Sequence, residues 1–428
     1  MKRLFAVMLI PFFLTSLSAV STEKNVDLSN TDKYRLTAGI AASTTYFDAI
    51  PANPALIQTS DIYKDSNLTV ASRTIAANSQ LDIDRILIND NSQPVFELSD
   101  GNYIEASRQL IYDDVILSQE TVSENYWLKD DFQVYQTPYV VGTQEVKTDL
   151  NAYSAVTVSQ KATTYHGTYY KVDGKGWISS DSLSDTDNRM EKVQQVLNQK
   201  YNKSNYSIYV KQLSTQETAG INSDTTMYAA SVAKLATLYY VEEKIQDGSV
   251  KMDDKLKYTA DVNNFAKAYN PSGSGKISKT ADDKDYSVED LLKAVCQNSD
   301  NVATNILGYY IAKQYGDHFT SDISAITNTN FDMKAREMSS KTAADLMEAI
   351  YQQNGDIISY LSSTAFDNAR ISRDINVQVA HKIGDAYDYR HDVAIVYANQ
   401  PFILSIFTDK ASYDDISNIA NDVYNILK

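Results

Sequence analysis

The chain has 428 residues, of which 43% are hydrophobic and 22% are charged, and its formal net charge is −16. This length is too great for one ordinary hydrophobic core, so we expect two or three domains, and the composition indicates a globular protein. The negative charge, which no run of Lys and Arg offsets, argues against nucleic acid and anionic membrane surfaces as partners. Cys296 is the sole cysteine, so an intrachain disulfide is excluded.

The first 21 residues have the layout of a secretory signal peptide. Lys2 and Arg3 form a positive start, residues 4–14 are almost wholly apolar, and small residues follow at Ala19 and Ser21. We expect cleavage after Ala19 or Ser21, and therefore a secreted protein. The alternative is an uncleaved N-terminal anchor, although the apolar stretch is short for a membrane span.

The region between the signal peptide and residue 185 divides into a linker and a β-structured part. Residues 22–58 are rich in Ser, Thr, Asn and Ala without strong periodicity, which predicts a linker. From residue 59 to 185, short runs of alternating polarity separated by turn residues predict β-strands. An internal repeat pairs Tyr103-Ile104 with Trp177-Ile178, each after a glycine-containing turn. Two small β-modules, at 59–122 and 123–185, would explain this repeat.

The second copy of the repeat, residues 169–178, resembles the end of a bacterial SH3-type (GW-like) module. Such modules often hold exported enzymes at the cell wall, so the resemblance implies a wall polymer as a ligand and an extracellular, wall-associated location in a Gram-positive bacterium. The first copy is acidic and lacks the Trp. The alternative is that both modules are spacers.

From residue 186 to the end the pattern changes to α/β. Periodicity and capping signals predict helices at 188–201, 231–248, from 287 onward, 302–315, 340–353 and 413–427, and strands at 207–213, 378–382, 393–397 and 402–408. Because the helices are embedded between an early and a late group of strands, we expect an antiparallel sheet with helices on its faces.

Ser231 and Lys234 form the first of three short motifs, at the predicted start of a long helix. Residues three apart share a helix face, so the amine can contact the hydroxyl. Desolvation lowers the pKa of a buried lysine, and a neutral amine can accept the proton of a serine. The pattern alone is weak, because Ser21-Thr-Glu-Lys24 matches it too.

The second motif, Ser299-Asp300-Asn301, falls between two predicted helices. There the Ser299 hydroxyl can relay a proton to a leaving group, and the Asn301 amide can point into a cleft. The alternative is an ordinary interhelix turn with a capping residue.

The third motif, Lys382-Ile383-Gly384, lies on a predicted strand. Lys382 can supply positive charge to a substrate carboxylate, and Gly384 leaves space for a substrate backbone along the strand edge. The alternative is a strand end with a glycine before a hairpin.

In this order the three motifs resemble the Ser-x-x-Lys, Ser-Asp-Asn and Lys-Thr-Gly set of class A β-lactamases and penicillin-binding peptidases. The flanking segments 228–235, 297–305 and 391–397 resemble the same family. The resemblance covers residues 186–428 and implies a mixed α/β sheet plus an all-helical lobe, with the nucleophile at their junction. The predicted fold class is therefore multidomain, with a β-lactamase-like catalytic domain preceded by small all-β SH3-like repeats.

The resemblance assigns catalytic roles to four residues. Ser231 would attack a carbonyl and form an acyl-enzyme, after Lys234 has taken its proton. Ser299 would shuttle a proton, and Lys382 would bind a substrate carboxylate.

Substrate-binding roles and cofactors follow from the same resemblance. Asn301 and Gly384 would hold the substrate, and the backbone N–H groups of Ser231 and Asp385 would form an oxyanion hole. No metal and no organic cofactor is implied, and the histidines lack the spacing of a zinc site; they are His166, His318, His381 and His391.

The sequence departs from the family pattern at two places. Ile383 stands where the family has a hydroxyl residue, which we expect to weaken binding of typical β-lactams. The loop at 331–340 lacks the Glu-x-x-Leu-Asn pattern that positions the deacylating water in class A β-lactamases. Glu337 is the only glutamate in this loop. It is either a substitute deacylation base or a solvated loop residue.

The sequence therefore supports an exported, monomeric serine hydrolase that acts on β-lactams or on D-Ala-D-Ala-like wall peptides. The alternative is a cell-wall-binding protein whose hydrolase domain is degenerate. Ile383 and the short loop favour this alternative, whereas the intact Ser231, Lys234 and Ser299 oppose it.

Overall fold

The computed structural model describes residues 27–37 and 44–428, so the predicted signal peptide at 1–21 lies outside the described residues. The chain divides into two compact units. The first unit contains the described residues up to 124 together with 133–149 and 158–180, and the second contains 125–132, 150–157 and 181–428. In the described part of the chain, every helix is too short or too polar to span a lipid bilayer.

The first unit begins with a short helix and an antiparallel β-structure. Its elements are α1 (Asn30–Thr37), β1 (Pro54–Leu56), β2 (Ser60–Tyr63), β3 (Ala71–Ile75), β4 (Ile83–Ile88), β5 (Pro94–Leu98), β6 (Tyr103–Glu105) and β7 (Ile111–Asp113). Five strands form a sheet of order β3-β2-β6-β5-β4, and β1 pairs with β7. Phe47, Phe96 and Ile104 are among the buried residues of its core.

The remaining strands of this unit follow along the chain. They are β8 (Ser118–Leu128), β9 (Val134–Tyr135), β10 (Ala155–Thr164), β11 (Gly167–Val172) and β12 (Gly176–Ser179), of which β8 and β10 contribute residues to both units. Strands β10, β11, β12 and β9 pair in that order. Trp177, from the second repeat copy, is buried here with Tyr169.

The predicted linker at 22–58 is wrong in its second half. Phe47 is a core residue, and β1 pairs residue by residue with β7. The composition of this segment does not predict a strand, because residues 54–56 pair with residues 111–113, almost 60 residues further along the chain.

The second unit is built on an antiparallel sheet, as the sequence predicts. Its strands are β13 (Leu183–Ser184), β14 (Tyr206–Gln212), β15 (Thr218–Ile221), β16 (Met227–Tyr228), β17 (Lys255–Lys257), β18 (Asp285–Ser287), β19 (Glu337–Met338), β20 (Val379–Ala386), β21 (Tyr389–Val396) and β22 (Phe402–Asp409). The main sheet has the order β15-β14-β22-β21-β20. Two short pairs, β16–β19 and β17–β18, lie outside it, and β13 pairs with residues 127–128.

Helices of the second unit pack on both faces of the main sheet. They are α2 (Arg189–Lys200), α3 (Lys234–Gln246), α4 (Val288–Asn298), α5 (Asn301–Tyr310), α6 (Asp317–Thr327), α7 (Ser340–Gln353), α8 (Asp356–Leu361) and α9 (Tyr413–Leu427), with 3-10 turns at Ser180–Ser182, Ala230–Ala233 and Ala260–Asn263. Side chains alternate along a strand, so Val393 packs in the core formed with α3 to α7, and Ala394 packs in the core formed with α2 and α9. Residue 382 of β20 thereby faces the all-helical side.

We expect Ser412→Ala to lower the free energy of unfolding by about 1 kcal/mol, because it removes a helix cap. The Ser412 hydroxyl accepts from the Asp415 N–H, and the Asp415 carboxylate accepts from the Ser412 N–H, which closes a capping box at the start of α9. Urea unfolding measures the change. Asn418→Ala, at an exposed position inside the same helix, is the control and should not destabilise the protein. Equal losses in both variants would contradict this role of the cap.

Candidate active site

Ser231 lies in a tight 3-10 turn rather than at the start of an α-helix. The turn covers Ala230–Ala233, and α3 begins at Lys234, so the helix predicted from 231 starts three residues late. Ala230 has φ +48°, a left-handed conformation that is costly for an alanine. This strained residue turns the chain directly before Ser231, which is 9% exposed.

Lys234 is fully buried and faces the second motif. Its Nζ donates to Asn301 Oδ1 at 2.6 Å and to the Ser299 carbonyl at 2.7 Å, and it lies 3.3 Å from Ser299 Oγ. Burial and the nearby charge of Lys382 hold the pKa of Lys234 well below its ordinary value. A neutral amine has two N–H donors, which the two short bonds satisfy, and one lone pair that remains for a further proton.

Ser299-Asp300-Asn301 is at the same time an interhelix turn and part of the site. Ser299 ends α4 with φ +51°, and the Asp300 carboxylate caps α5 by accepting from the Ala303 N–H at 2.9 Å. The turn therefore has the capping function that we considered as an alternative, and it also directs Ser299 and Asn301 toward Lys234. The Asn301 amide donates to the Asn270 carbonyl at 2.8 Å, so both ends of this side chain are bonded within the chain.

Lys382 is the second buried amine of the site. Its Nζ donates to Ser299 Oγ at 2.8 Å and to the Ile383 carbonyl at 3.0 Å. Burial lowers the pKa of Lys382 to about 7. Ser299 Oγ is thus in contact with both amines, which makes Lys382, Ser299 and Lys234 one continuous chain of proton-carrying groups.

Gly384 brings β20 against the turn that holds Ser231. A side chain at this position would place its Cβ 2.6 Å from the Ala229 carbonyl and 3.3 Å from the Val232 nitrogen. The glycine is therefore needed for the close approach of strand and turn. Asp385 follows it, and its carboxylate accepts from the Arg370 guanidinium and, at 3.2 Å, from the Tyr413 hydroxyl.

Glu337 stays outside this cluster. It is exposed on β19, its backbone pairs with Tyr228, and within the described residues its carboxylate has no hydrogen bond or ion pair. The residue before it, Arg336, points inward instead. Its guanidinium lies 3.6 Å from the centre of the Tyr269 ring.

Two site residues, Tyr269 and Arg336, were missed by the sequence analysis. Tyr269 is buried, and its ring lies 4.6 Å from Lys234 Nζ. The Asn305 amide fixes the backbone of Tyr269 through bonds of 2.7 and 2.9 Å. Neither residue belongs to a motif, and both lie on irregular segments. The one available signal was Asn305, inside the segment that resembles the family.

Two buried histidines lie on neighbouring strands of the main sheet, His381 on β20 and His391 on β21. Burial alone would lower the pKa of His381, but the carboxylates of Asp392 and Asp367, at 3.0 and 3.1 Å, outweigh it and raise the pKa to about 9. Among the described residues no carboxylate is bonded to His391, and burial lowers its pKa to about 4. It accepts from the Thr408 N–H at 3.1 Å and bonds the Tyr228 carbonyl at 2.9 Å. This pattern fits a neutral ring.

We expect His381→Gln and His391→Gln to alter the pH dependence of stability in opposite directions. A raised pKa stabilises the fold below pH 6.5 and loses its effect as the pH rises through 9, so His381→Gln should cost up to about 3 kcal/mol near pH 6 and much less near pH 9.5. A lowered pKa stabilises above pH 6.5 and loses its effect as the pH falls through 4, so His391→Gln should cost least near pH 4. Urea unfolding of both variants and the wild type across pH 4–9.5 measures this. Parallel profiles would contradict the assignment of charge states.

Comparison with known proteins matches two parts of the chain to two families. A family model described as the beta-lactamase enzyme family matches residues 188–427. A second, described as a domain of unknown function (DUF5776), matches residues 46–111, so the SH3-like identity predicted for the repeats remains a prediction. No protein with a curated description matches the chain.

Several solved structures are similar to more than half of this chain. PBP-A has 18% sequence identity and a TM-score of 0.46, and the match covers 56% of this chain and 95% of PBP-A. The β-lactamase of Sphaerobacter thermophilus gives the same four values. A class A β-lactamase described as the last common ancestor of Gram-negative bacteria has 16% identity and a TM-score of 0.45, over 56% of this chain and 99% of that one.

Proposed function

The chain belongs to the beta-lactamase enzyme family, and on that premise we propose that its second unit is a serine hydrolase that works through an acyl-enzyme on Ser231. The observation that carries the proposal is the contact of two buried lysine amines with one hydroxyl, Ser299 Oγ, beside the turn of Ser231. Buried amines with lowered pKa values are costly to the fold, and such groups cluster at sites that transfer protons.

The first step is acylation. Lys234 in its neutral form accepts the Ser231 hydroxyl proton while Ser231 Oγ forms a bond to the substrate carbonyl carbon. The carbonyl oxygen becomes an oxyanion, which the backbone N–H groups of Ser231 and Asp385 stabilise. The bond from this carbon to the leaving nitrogen then breaks, and the nitrogen takes a proton from Ser299. Lys382 or the protonated Lys234 returns a proton to Ser299, so the chain of groups is restored.

Deacylation is the slow step in this proposal. Water needs a general base to attack the ester, and the Glu337 carboxylate is exposed and unbonded within the described part of the chain. We therefore place the protein closer to a penicillin-binding peptidase than to an efficient β-lactamase. The proposed substrates are D-Ala-D-Ala-like wall peptides, and β-lactams acylate the same serine.

Export and wall attachment complete the proposal. The signal-like residues 1–21 and the β-structured first unit fit a monomeric enzyme that is secreted and held at a bacterial cell wall, where its substrate lies. The second candidate function is a wall-binding protein with a degenerate hydrolase unit. Two features favour this second function. Ile383 has no hydroxyl to bind a substrate, and the Asn301 amide already donates to the Asn270 carbonyl.

We expect intact mass spectrometry to detect a covalent penicillin G adduct on the wild-type protein and no adduct on Ser231→Ala. The adduct should persist for hours, because the Glu337 carboxylate is exposed and is not positioned as a base for water. Glu337→Gln is the matched control and should form and lose the adduct at the wild-type rates. Absence of a wild-type adduct with penicillins and peptide esters, together with retention on purified cell walls, would favour the second candidate. Loss of the adduct within minutes would contradict the proposed slow deacylation.

We expect Ile383→Thr to accelerate acylation by penicillin G about tenfold, since a hydrogen bond to a charged group contributes roughly 1.5–3 kcal/mol. The added hydroxyl can donate to the substrate carboxylate that Lys382 attracts. Ile383→Val is the control, because it shortens the side chain without adding a donor. Stopped-flow acylation rates compare the three proteins. An equal gain with Val would show that space, rather than the hydroxyl, limits the reaction.

A further inference from the structure

The segment that lacks the deacylating glutamate carries a half-buried arginine in contact with the site. Within the described residues, Arg336 has no carboxylate partner, and its Nη2 donates instead to the carbonyls of Lys267 and Ala268 at 2.9 and 3.0 Å. Its Nε is buried without a partner. Burying the Nε of a guanidinium without a hydrogen-bond partner costs free energy, so this placement calls for a compensating role.

The backbone of Arg336 is tied to the nucleophile turn. The Arg336 carbonyl accepts from the Ala229 N–H at 2.8 Å, two residues before Ser231. Its own N–H donates to the Asp332 carbonyl at 2.8 Å, and its φ is +52°. A left-handed backbone costs free energy for a residue with a side chain. Arg336 adopts this conformation while its guanidinium contacts the Tyr269 ring.

The Tyr269 ring connects Arg336 with Lys234. The guanidinium carbon of Arg336 lies 3.6 Å from the ring centre, and Lys234 Nζ lies 4.6 Å from the same centre. The Tyr269 hydroxyl donates to the Ala230 carbonyl at 3.4 Å. A single buried ring therefore contacts the loop arginine, the proposed base and the turn of the nucleophile.

We propose that Arg336 is a positioning residue, which holds Tyr269 against Lys234 and thereby sets the rate at which Ser231 is acylated. This inference rests on the proposed function. Two physical effects combine in it. Stacking fixes the ring that covers the amine, and the fixed positive charge of Arg336 disfavours a second positive charge on Lys234.

Several charged groups besides Arg336 shift the pKa of Lys234. Lys382 on β20, Lys279 on the loop before β18 and Arg336 all lower the pKa of Lys234, whereas Asp300 raises it. An arginine guanidinium stays charged throughout the working pH range. Arg336 therefore lowers the pKa of Lys234 equally at every pH in this range. The effect of Lys382 changes with pH, because Lys382 gains or loses its own charge near pH 7.

The test measures the acylation rate with penicillin G from pH 5 to 9 in four proteins. Arg336→Gln keeps a donor for the backbone carbonyls but removes the charge, so the midpoint of the acid limb should move up by about one pH unit, and the rate at pH values below both midpoints should fall about tenfold. Arg336→Lys keeps the charge and should keep the wild-type midpoint. Arg373→Gln removes an arginine that pairs with Asp374 and Asp414 on the surface, and it should leave the profile unchanged.

The outcomes separate this inference from the proposed function. If the wild type forms no adduct, the proposed function fails, and this inference fails with it. If the wild type is acylated and Arg336→Gln keeps its midpoint, only the role of Arg336 is overturned. Tyr269→Leu, checked for folding by circular dichroism, covers the case in which Arg336→Gln does not fold. It should slow acylation more than Tyr269→Phe, which keeps the ring, and equal rates in the two would also overturn the inference.

Discussion

Two lysine amines are buried within hydrogen-bonding reach of one serine hydroxyl, and the rest of the second unit is organised around this contact. Two positive charges so close together in a dry environment repel each other, so at least one amine must give up its proton. The acceptors around them are neutral: carbonyls of Ser299 and Ile383 and the amide oxygen of Asn301. Neutral acceptors stabilise an N–H donor without restoring the full positive charge as carboxylates would.

Holding these groups in place requires a rigid frame, which strand β20 and the interhelix turn provide. Gly384 lets β20 approach the Ser231 turn more closely than any side chain would allow. Ala230 and Ser299 adopt positive φ values on either side of Lys234. The fold tolerates this strain because the surrounding residues are fully packed, with Val232, Ala233, Val295 and Val302 all buried in one core.

The sequence predicts helices and strands well where local signals are strong. It predicts them poorly where contacts with distant residues determine the conformation. The helices at 340–353 and 413–427 have a capping residue and an apolar face, and the structure gives both with the predicted bounds. The start of the helix at 231 was wrong because a close-packed turn overrides helix propensity there. The motifs led to Lys234 and Ser299, but Arg336 and Tyr269 reach the site through loop conformation, which no spacing rule encodes.

The side chains closest to the site in the described structure are positively charged, and the Glu337 carboxylate lies outside it. Lys234, Lys382 and Arg336 carry no ion pair within the described residues, although the chain as a whole has a charge of −16. Positive groups without partners favour a negatively charged substrate and the oxyanion that forms during acylation. In the proposed mechanism water lacks a positioned base, because the Glu337 carboxylate is exposed and lies outside the cluster. The proposed fast formation and slow loss of an acyl-enzyme both rest on this one arrangement of charge.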